Sequence, residues 1–223
     1  MASILSPDEV LTTTRSVRKR LDLTRPVPRS LIAECMEIAF QAPNGRNLSS
    51  WQWVVIDDPK VMAGVGRIYE GALADFGASA QGQSYRDSAA QRAAGGAAEA
   101  ERKMSESVDF LRENMGRLPA AVVPMFPGRP DKMNLFRQAS SWGSVLPAVW
   151  SLFLALRIRG LGSCWTTAHL MREQEMAELL GIPQDEYTQV GLFPIAYTVG
   201  ADFKKAPRKP ADQVVSWNRF GAR

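Results

Sequence analysis

Basic side chains concentrate near both ends of the chain, in two clusters whose residue types could bind an anion. "RSVRKR" at residues 15–20 and "KKAPRK" at residues 204–209 each hold four Arg or Lys in six positions. A guanidinium group gives a phosphate two parallel hydrogen bonds, which set its orientation as well as its charge balance. Two clusters distant in sequence could converge on one phosphate dianion. Each cluster alone is equally well explained as a solvated surface.

Two further segments could bind the remainder of such a ligand. Residues 43–47 form a loop rich in Asn and Gly, and the Gly-rich turn at residues 160–163 leads to Trp165, Thr166 and Thr167. Asn side chains and Gly backbone offer donors and acceptors to a planar heterocycle and allow its close approach. Together the four segments indicate a site for a phosphorylated planar cofactor.

Other common kinds of site lack support in the sequence. His169 is the one histidine, and no G-x-S-x-G elbow is present, so we expect it on a helix surface or at a cap rather than in a triad. No His/Cys cluster has zinc spacing, no acidic run resembles a calcium loop, and no Walker loop occurs. The pairs Gly64/Gly66 and Gly160/Gly162 lack the third Gly of a dinucleotide fingerprint.

Length and composition predict one globular domain over residues 1–223. The chain is 45% hydrophobic and 22% charged, and it is long enough to bury a core without disulfides or metals. Lys and Arg outnumber Asp and Glu by 27 to 23, an excess too small to argue for nucleic acid.

The sequence favours a cytoplasmic, reduced protein. Cys35 lies on an apolar helical face and is expected to be a buried thiol, and neither it nor Cys164 belongs to a CxxC pair. No basic segment followed by an apolar run is present at the N-terminus, so no signal peptide is predicted. The longest apolar run, residues 145–156, is too short to cross a bilayer, contains Pro147 and is expected to be a core helix.

Apolar periodicity predicts helices around a few short strands. Helices are expected from Ser6 to about 14–16, at 26–42, at 59–76, within 131–159 and at 171–180, where Gly181 and Pro183 end the last one. Strands are expected at 51–57, at 120–126 and within 188–200, either as a pair or as one strand bent at Pro194. So few strands favour an α+β fold with a small sheet among helices.

Residues 77–103 differ from the rest of the chain. They are rich in Ala, Gln, Ser and Gly, and Tyr85 is their only large apolar side chain. Because such a segment cannot anchor itself in a core, we predict a lid or outlying excursion at 77–104.

Three segments resemble the FMN-dependent nitroreductase family. Residues 12–58, with "RSVR" and "APNGRNLSSW", resemble its signature R-S-x-R-x-F followed by A-P-S-x-x-N-x-Q-P-W. "RIRGLGSCWTT" continues the match, and residues 191–221 resemble the family's Gly-Tyr-Pro strand and basic C-terminal segment. The resemblance implies a small, mainly antiparallel central sheet flanked by helices, in a domain-swapped homodimer with FMN at the subunit interface.

The resemblance also implies roles for individual residues. Those matching the ligands of the FMN phosphate and ribityl chain are Arg15, Ser16, Arg18 and Arg208, with help from Lys209 or Lys205. Those matching the loop that reaches the partner's flavin are Pro43, Asn44, Gly45 and Asn47. Trp165, Thr166 and Thr167 match the segment that packs on the ring and presents a backbone N–H near flavin N5. Asn114 or Arg112 could meet the pyrimidine edge.

This chain departs from the family pattern at several positions. Ser49-Ser50-Trp51 stands in place of Gln-Pro-Trp, which puts the contact of that Gln in doubt. Leu21 replaces an aromatic residue, and Thr167 stands where some members carry Glu. None of these changes removes a phosphate ligand.

The expected function is hydride transfer from NADH or NADPH through FMN to nitroaromatic or quinone-type small molecules, by a ping-pong mechanism. Such chemistry needs no side-chain nucleophile, in agreement with the missing triad. A reductive dehalogenase and a flavin-fragmenting enzyme remain alternatives with the same fold. A non-enzymatic basic protein binding RNA or an acidic partner is a third, although the tryptophans lie mostly in apolar stretches and no nucleic-acid motif is present. Neither nucleic acid nor membrane is expected as a partner.

Overall fold

A small antiparallel sheet forms the centre of the molecule, in a computed structural model that describes residues 5–222. Its strands are β1 (Gln52–Ile56), β2 (Ala120–Pro127), β3 (Leu161–Gly162), β4 (Tyr187–Gln189) and β5 (Phe193–Tyr197). The strand order is β1-β2-β5-β3, and β4 also pairs with β2. Every ladder between these strands is antiparallel, so the predicted α+β fold with a small antiparallel sheet is confirmed.

Helices cover both faces of the sheet. Within the described residues they are α1 (Pro7–Thr13), α2 (Arg29–Ala39), α3 (Pro59–Ala78), α4 (Ala80–Arg92), α5 (Ala98–Asn114), α6 (Leu135–Ile158), α7 (Glu173–Leu180) and α8 (Ala211–Val214). The predicted helix signals hold at several ends. Ser6 and Glu9 form a capping box on α1, Asp58 caps α3 ahead of Pro59, and Gly181 ends α7 with a φ of 67°. Residues 1–4, part of the segment used to predict the absence of a signal peptide, lie outside the described residues.

The central strand β2 divides the core in two. Its apolar run is buried on both faces, and successive side chains point to opposite sides. Val122 and Phe126 pack with α2 and α6, whereas Val123 and Met125 pack with α3 and α7. A strand covered on both faces needs no polar alternation, which is why "AAVVPMF" is apolar throughout.

Helix α6 is the long core helix that the apolar run predicts. Its Val145, Val149, Leu152 and Leu156 are buried against the sheet and α2. Among the described helices it alone is long and apolar enough to span a bilayer by length and composition, a test that core helices of globular proteins also pass.

The segment at 188–200 forms two strands that both pair with the same edge of β2. Met125 pairs with Gln189, and Val122 pairs with Phe193. The chain therefore advances four residues from β4 to β5 while β2 advances three. The extra residue makes Val190–Leu192 a β-bulge. The bend therefore lies at the bulge and not at Pro194, which sits within β5 opposite Ala121.

The segment predicted as a lid or excursion is helical. Helices α4 and α5, joined by a π-helical turn at Ala93–Ala97, form a hairpin. Gly82 is the one buried residue of α4 and Leu111 that of α5. Among the described residues, one ion pair, between Arg92 and Glu101, links its two arms. Motion of the hairpin as a lid stays a prediction.

Candidate functional site

Two adjoining clefts share the side chain of Arg18. The first, of about 290 Å³, is lined mainly by the basic segment 15–20 and by residues 202–204. The second, of about 440 Å³, is lined by apolar side chains of α3 and α5 and by Trp165, Thr166 and Thr167. We call these the cationic cleft and the apolar cleft. Their shared boundary places charged and apolar binding surfaces side by side.

Backbone pairing brings the two halves of the cationic cleft together. Val17 N donates to the Ser163 carbonyl at 2.8 Å, and Asp22 N donates to the Tyr197 carbonyl at 2.8 Å. The basic segment therefore runs beside β3 and β5, next to the chain that follows β5. Arg15 Nη1 then donates to the Lys204 carbonyl at 2.9 Å, which closes the cleft across 189 positions of sequence.

The cationic cleft keeps an excess of free positive charge. Arg20 pairs with Asp202 at 2.8 Å, and Lys19 pairs with Glu106. Hydrogen bonds from its own backbone and from Arg20 lower the pKa of the Asp202 carboxyl. Among the described residues, the remaining cations make no ion pair; these are Arg15, Arg18 and Lys204. This donor set fits a phosphate dianion.

Apolar side chains form the walls of the apolar cleft, and residues 165–167 form what we call its floor. Leu73 and Phe76 of α3, Val108 and Leu111 of α5, and Leu170 line it. Their character suits a planar aromatic ring, which loses water on both faces when it binds.

Trp165, Thr166 and Thr167 are positioned by the bulge in the neighbouring strand. The bulge frees the backbone of Leu192 to pair with Thr166, with N···O distances of 2.8 and 3.2 Å. A Cβ atom at Gly191 would lie 2.9 Å from Trp165 Nε1, so this position requires glycine for the indole to approach. The bulge and the glycine thus set the floor of the apolar cleft.

The Asn/Gly loop lies elsewhere on the same chain. Gly45 N donates to Ser144 Oγ of α6 at 2.9 Å, and Asn44 Oδ1 accepts from Ser49 N at 2.8 Å. Arg46, Asn47 and Ser49 all have positive φ, at 55°, 55° and 46°. Such backbone strain persists where surrounding structure enforces it and is common at ligand clamps. Gly45 lines a separate cleft of about 140 Å³ that shares no residue with the other two.

Several predicted residues lie outside both clefts. Arg208 Nη1 donates to the adjacent Pro207 carbonyl, and Lys209 is exposed. Arg112 pairs with Asp109, and Asn114 donates to the Phe110 carbonyl. The C-terminal cation that lines the cationic cleft is instead Lys204.

His169 is buried, so the prediction of a surface or capping role is wrong. It lies in the 3-10 turn Ala168–Arg172 with no solvent exposure, where the turn directs it inward. Burial lowers its pKa to about 4, against smaller opposing effects of Glu173 and Gln189. Within residues 5–222, no group of three or more His, Cys, Asp and Glu could hold a metal.

Sequence reasoning missed the contribution of α3. Tyr69, Leu73 and Phe76 follow a helical spacing, which predicts a buried face but not a cleft wall. The thiol of Cys164 lies under the cleft floor, and burial raises its pKa to about 12, as expected for an inert core cysteine.

Comparison with known proteins agrees with this architecture. Residues 11–197 match the sequence profile of the Nitroreductase family. The FMN and NADPH-dependent nitroreductase NfnB from Sphigopyxis sp. strain HMH is 23% identical, with 97% of this chain and 100% of that chain covered and a TM-score of 0.68. Iodotyrosine deiodinase, solved with FMN and 3-iodo-L-tyrosine, is 21% identical, with 96% and 99% covered and a TM-score of 0.70.

A BluB-like flavoprotein from Clostridium difficile is 15% identical, with 96% of this chain and 100% of that chain covered and a TM-score of 0.68. At these identities the solved structures establish a shared fold. Because the profile match spans most of the chain, this protein belongs to the Nitroreductase family.

Proposed function

We propose that this protein is an FMN-dependent oxidoreductase that passes hydride from NADH or NADPH to nitroaromatic or quinone-type acceptors. The observation that carries the proposal is Arg18, which lines both a cationic and an apolar cleft. A ligand with a phosphate at one end and a planar ring at the other can occupy both. Membership of the Nitroreductase family supports FMN as that ligand. When bound, FMN supplies the hydride-transfer chemistry.

The phosphate would be held by the cations that lack carboxylate partners. Arg15, Arg18 and Lys204 bring three positive charges to a dianion, and the two nearby acids are already paired. The family resemblance adds Ser16 from the same segment and Arg208 and Lys209 from the C-terminal segment. Because these cations are half-buried or exposed, binding through them should weaken as salt is raised.

The ring would lie against the segment 165–167. Thr166 N–H is bonded to the Leu192 carbonyl, whereas those of Trp165 and Thr167 have no partner among the described residues. Backbone N–H groups held rigidly in an apolar cleft stabilise negative charge that develops next to them. Thr167 therefore fits the role of backbone donor that the family resemblance assigns to this segment.

We propose that the active form is a homodimer with FMN in the interface. Leu135 and Phe136 of α6 are 81% and 80% exposed, and Trp217 and Phe220 of the C-terminal segment are 71% and 102% exposed. Neighbouring apolar side chains that are this exposed are common at interaction surfaces, which supports the proposal. Gly45 of the Asn/Gly loop is hydrogen-bonded to Ser144 of α6. A dimer that buries this side of α6 would therefore place the loop near the partner subunit.

The walls of the apolar cleft bear on the choice of acceptor. Among the residues that the structure describes, Arg18 is its one charged lining residue, and no carboxylate lines it. A zwitterionic amino acid, such as the ligand in the deiodinase structure, would bring an ammonium group that this cleft does not balance. A neutral nitroaromatic or quinone suits it better than that alternative.

The proposal is tested by purifying the protein and identifying its chromophore. We expect a yellow protein that releases about one FMN per chain on denaturation. The holoprotein should then be mixed with NADH or NADPH and screened against quinones, nitroaromatics and iodinated phenols. A colourless protein that cannot be reconstituted with FMN would refute the proposal.

A further inference from the structure

Arg157 is a buried arginine without an acidic partner. It lies in the last turn of α6, is 8% exposed and makes no ion pair with any described residue. Its Nη2 donates to the Ala201 carbonyl at 3.1 Å, but its Nε has no hydrogen-bond partner. The negative C-terminal end of the α6 dipole compensates only part of the positive charge of Arg157. An unpaired buried cation is costly, so its presence calls for a reason.

A phenylalanine connects Arg157 to the cationic cleft. The guanidinium carbon of Arg157 lies 4.5 Å from the centroid of the Phe203 ring, and that of Arg20 lies 4.2 Å from the same centroid. Phe203 and Arg20 both line the cationic cleft. Burial and the nearby charge of Arg20 lower the pKa of Arg157. The fold therefore holds two like charges on one ring at the edge of the cleft.

Three arginines also shape the loop that carries Lys204. Arg20 Nε donates to the Val199 carbonyl at 2.7 Å, and Arg15 Nη1 donates to the Lys204 carbonyl at 2.9 Å. Arg157 contributes the bond to Ala201, between these two. Three arginine side chains thus bind three carbonyl groups of the loop at residues 199–204. Of these arginines, Arg157 is the buried one.

We propose that Arg157 is a positioning residue for the phosphate of the bound cofactor. It supplies positive charge below the cationic cleft and, through Phe203 and Ala201, holds Arg20 and Lys204 at the cleft wall. The phosphate in turn offsets the charge that folding buries. This inference rests on the proposed FMN function.

The test compares FMN with riboflavin, which carries the same ring and ribityl chain without the phosphate. Affinities of the apoprotein for both flavins should be measured for Arg157→Met, which removes the charge, and Arg157→Lys, which keeps it. We expect Arg157→Met to weaken FMN binding by on the order of tenfold and riboflavin binding by less than about twofold. Arg157→Lys should restore most of the FMN affinity.

The matched control is Arg159→Met on the same helix. Arg159 pairs with Glu34 and lines neither cleft, so both flavins should bind to this variant as to the parent protein. Thermal unfolding of the apoprotein adds a second readout. Arg157→Met should leave its midpoint unchanged or raise it, because an unpaired buried charge is lost.

An unchanged ratio of FMN to riboflavin affinity in Arg157→Met would overturn the inference. If both flavins then bind more weakly by the same factor and the unfolding midpoint also falls, the role of Arg157 is purely structural. If the parent protein binds neither flavin, the proposed function fails, and inorganic phosphate becomes the probe. Stabilisation of the parent protein by phosphate, reduced in Arg157→Met, would still support the anion site, and equal stabilisation would reject it.

Discussion

The hydroxyl groups of Tyr69 and Thr166 lie 2.9 Å apart and join α3 to the floor of the apolar cleft. Tyr69 is 2% exposed, and burial raises its pKa, with an opposing effect of the Thr166 hydrogen bond. The contact spans 97 positions of sequence and connects a helix to the segment that presents Trp165 and Thr167. It therefore couples the packing of α3 to the geometry of the proposed flavin site.

Removal of this hydroxyl should cost measurable stability. Tyr69→Phe leaves the Thr166 hydroxyl without its partner, so the free energy of unfolding should fall by about 1 kcal/mol. Urea denaturation of the apoprotein measures the change. Tyr85→Phe, at a side chain that is 52% exposed, is the control and should have little effect. Equal losses in the two variants would contradict the assigned role.

The cation shared by the two clefts should dominate retention of the cofactor. Arg18→Met removes the proposed charge-assisted contact to phosphate, and FMN should bind about 10- to 100-fold more weakly. Equilibrium titration of the apoprotein with FMN gives the ratio. Arg117→Met removes an arginine that lines neither cleft and should leave the affinity intact. An unchanged FMN affinity in Arg18→Met would exclude Arg18 from the site.

A methyl group at Gly191 should disturb the cleft floor. Its Cβ would lie 2.9 Å from both Trp165 Nε1 and Phe193 Cζ, so Gly191→Ala should destabilise the protein by about 1–3 kcal/mol. Thermal unfolding and tryptophan fluorescence report the loss and the displaced indole. Gly77→Ala is the matched control, since no atom lies within 4 Å of its added Cβ and its helical backbone accepts alanine. Comparable losses in both variants would argue against the close approach at Gly191.

The buried histidine should make stability depend on pH. Its folded-state pKa is lowered to about 4 from an ordinary 6.5, so between these values the unfolded chain binds the proton and the folded chain does not. The free energy of unfolding should therefore fall as pH drops from about 6.5 to about 4, by at most about 1.4 kcal/mol per pH unit.

His169→Gln should abolish this contribution. Because His169 is the one histidine of the chain, the difference between the two pH profiles isolates it from the carboxylates. Urea denaturation across this pH range provides the measurement. Parallel profiles would show that His169 gains a proton in the folded state as readily as in the unfolded chain.

The exposed apolar end of α6 should be needed for association. Phe136→Glu places a charge at a side chain that is 80% exposed, which should shift the proposed dimer toward monomer by desolvation cost. Light scattering after size exclusion gives the mass, and FMN content should fall with the dimer. Met104→Glu, on the helical hairpin and 45% exposed, should leave the mass unchanged. A monomeric parent protein that still retains FMN would refute the interface.

Local sequence pattern was sufficient for most of the elements. The apolar run at 120–126 predicts β2, and the periodicity before Gly181 predicts α7, because propensity and end signals act within a few residues. The same pattern could not place the bend at 188–200. That bend is set by the register of both strands on β2, which the chain reaches only after folding.

The residue types of the candidate site were also readable from sequence. The basic segment 15–20 and the Trp165–Thr167 segment line the two clefts, and their Arg, Lys, Trp and Thr side chains are of types that suit phosphate and a planar ring. Sequence could not show that Lys19 and Arg20 are paired with acids, whereas Arg15 and Arg18 make no ion pair with any residue that the structure describes.

Only the tertiary structure decided these pairings. It also decided that His169 and Arg157 are buried, and that the Asn/Gly loop lines a cleft separate from the cationic cleft. The charge of a side chain is set by its own residue type. Its ion-pair partners and its solvent exposure depend on segments that are distant in the chain. The sequence by itself therefore determined which chemical groups this protein possesses, and the packing of α3, α6 and the bulged edge of the sheet determined which of them remain available to a ligand.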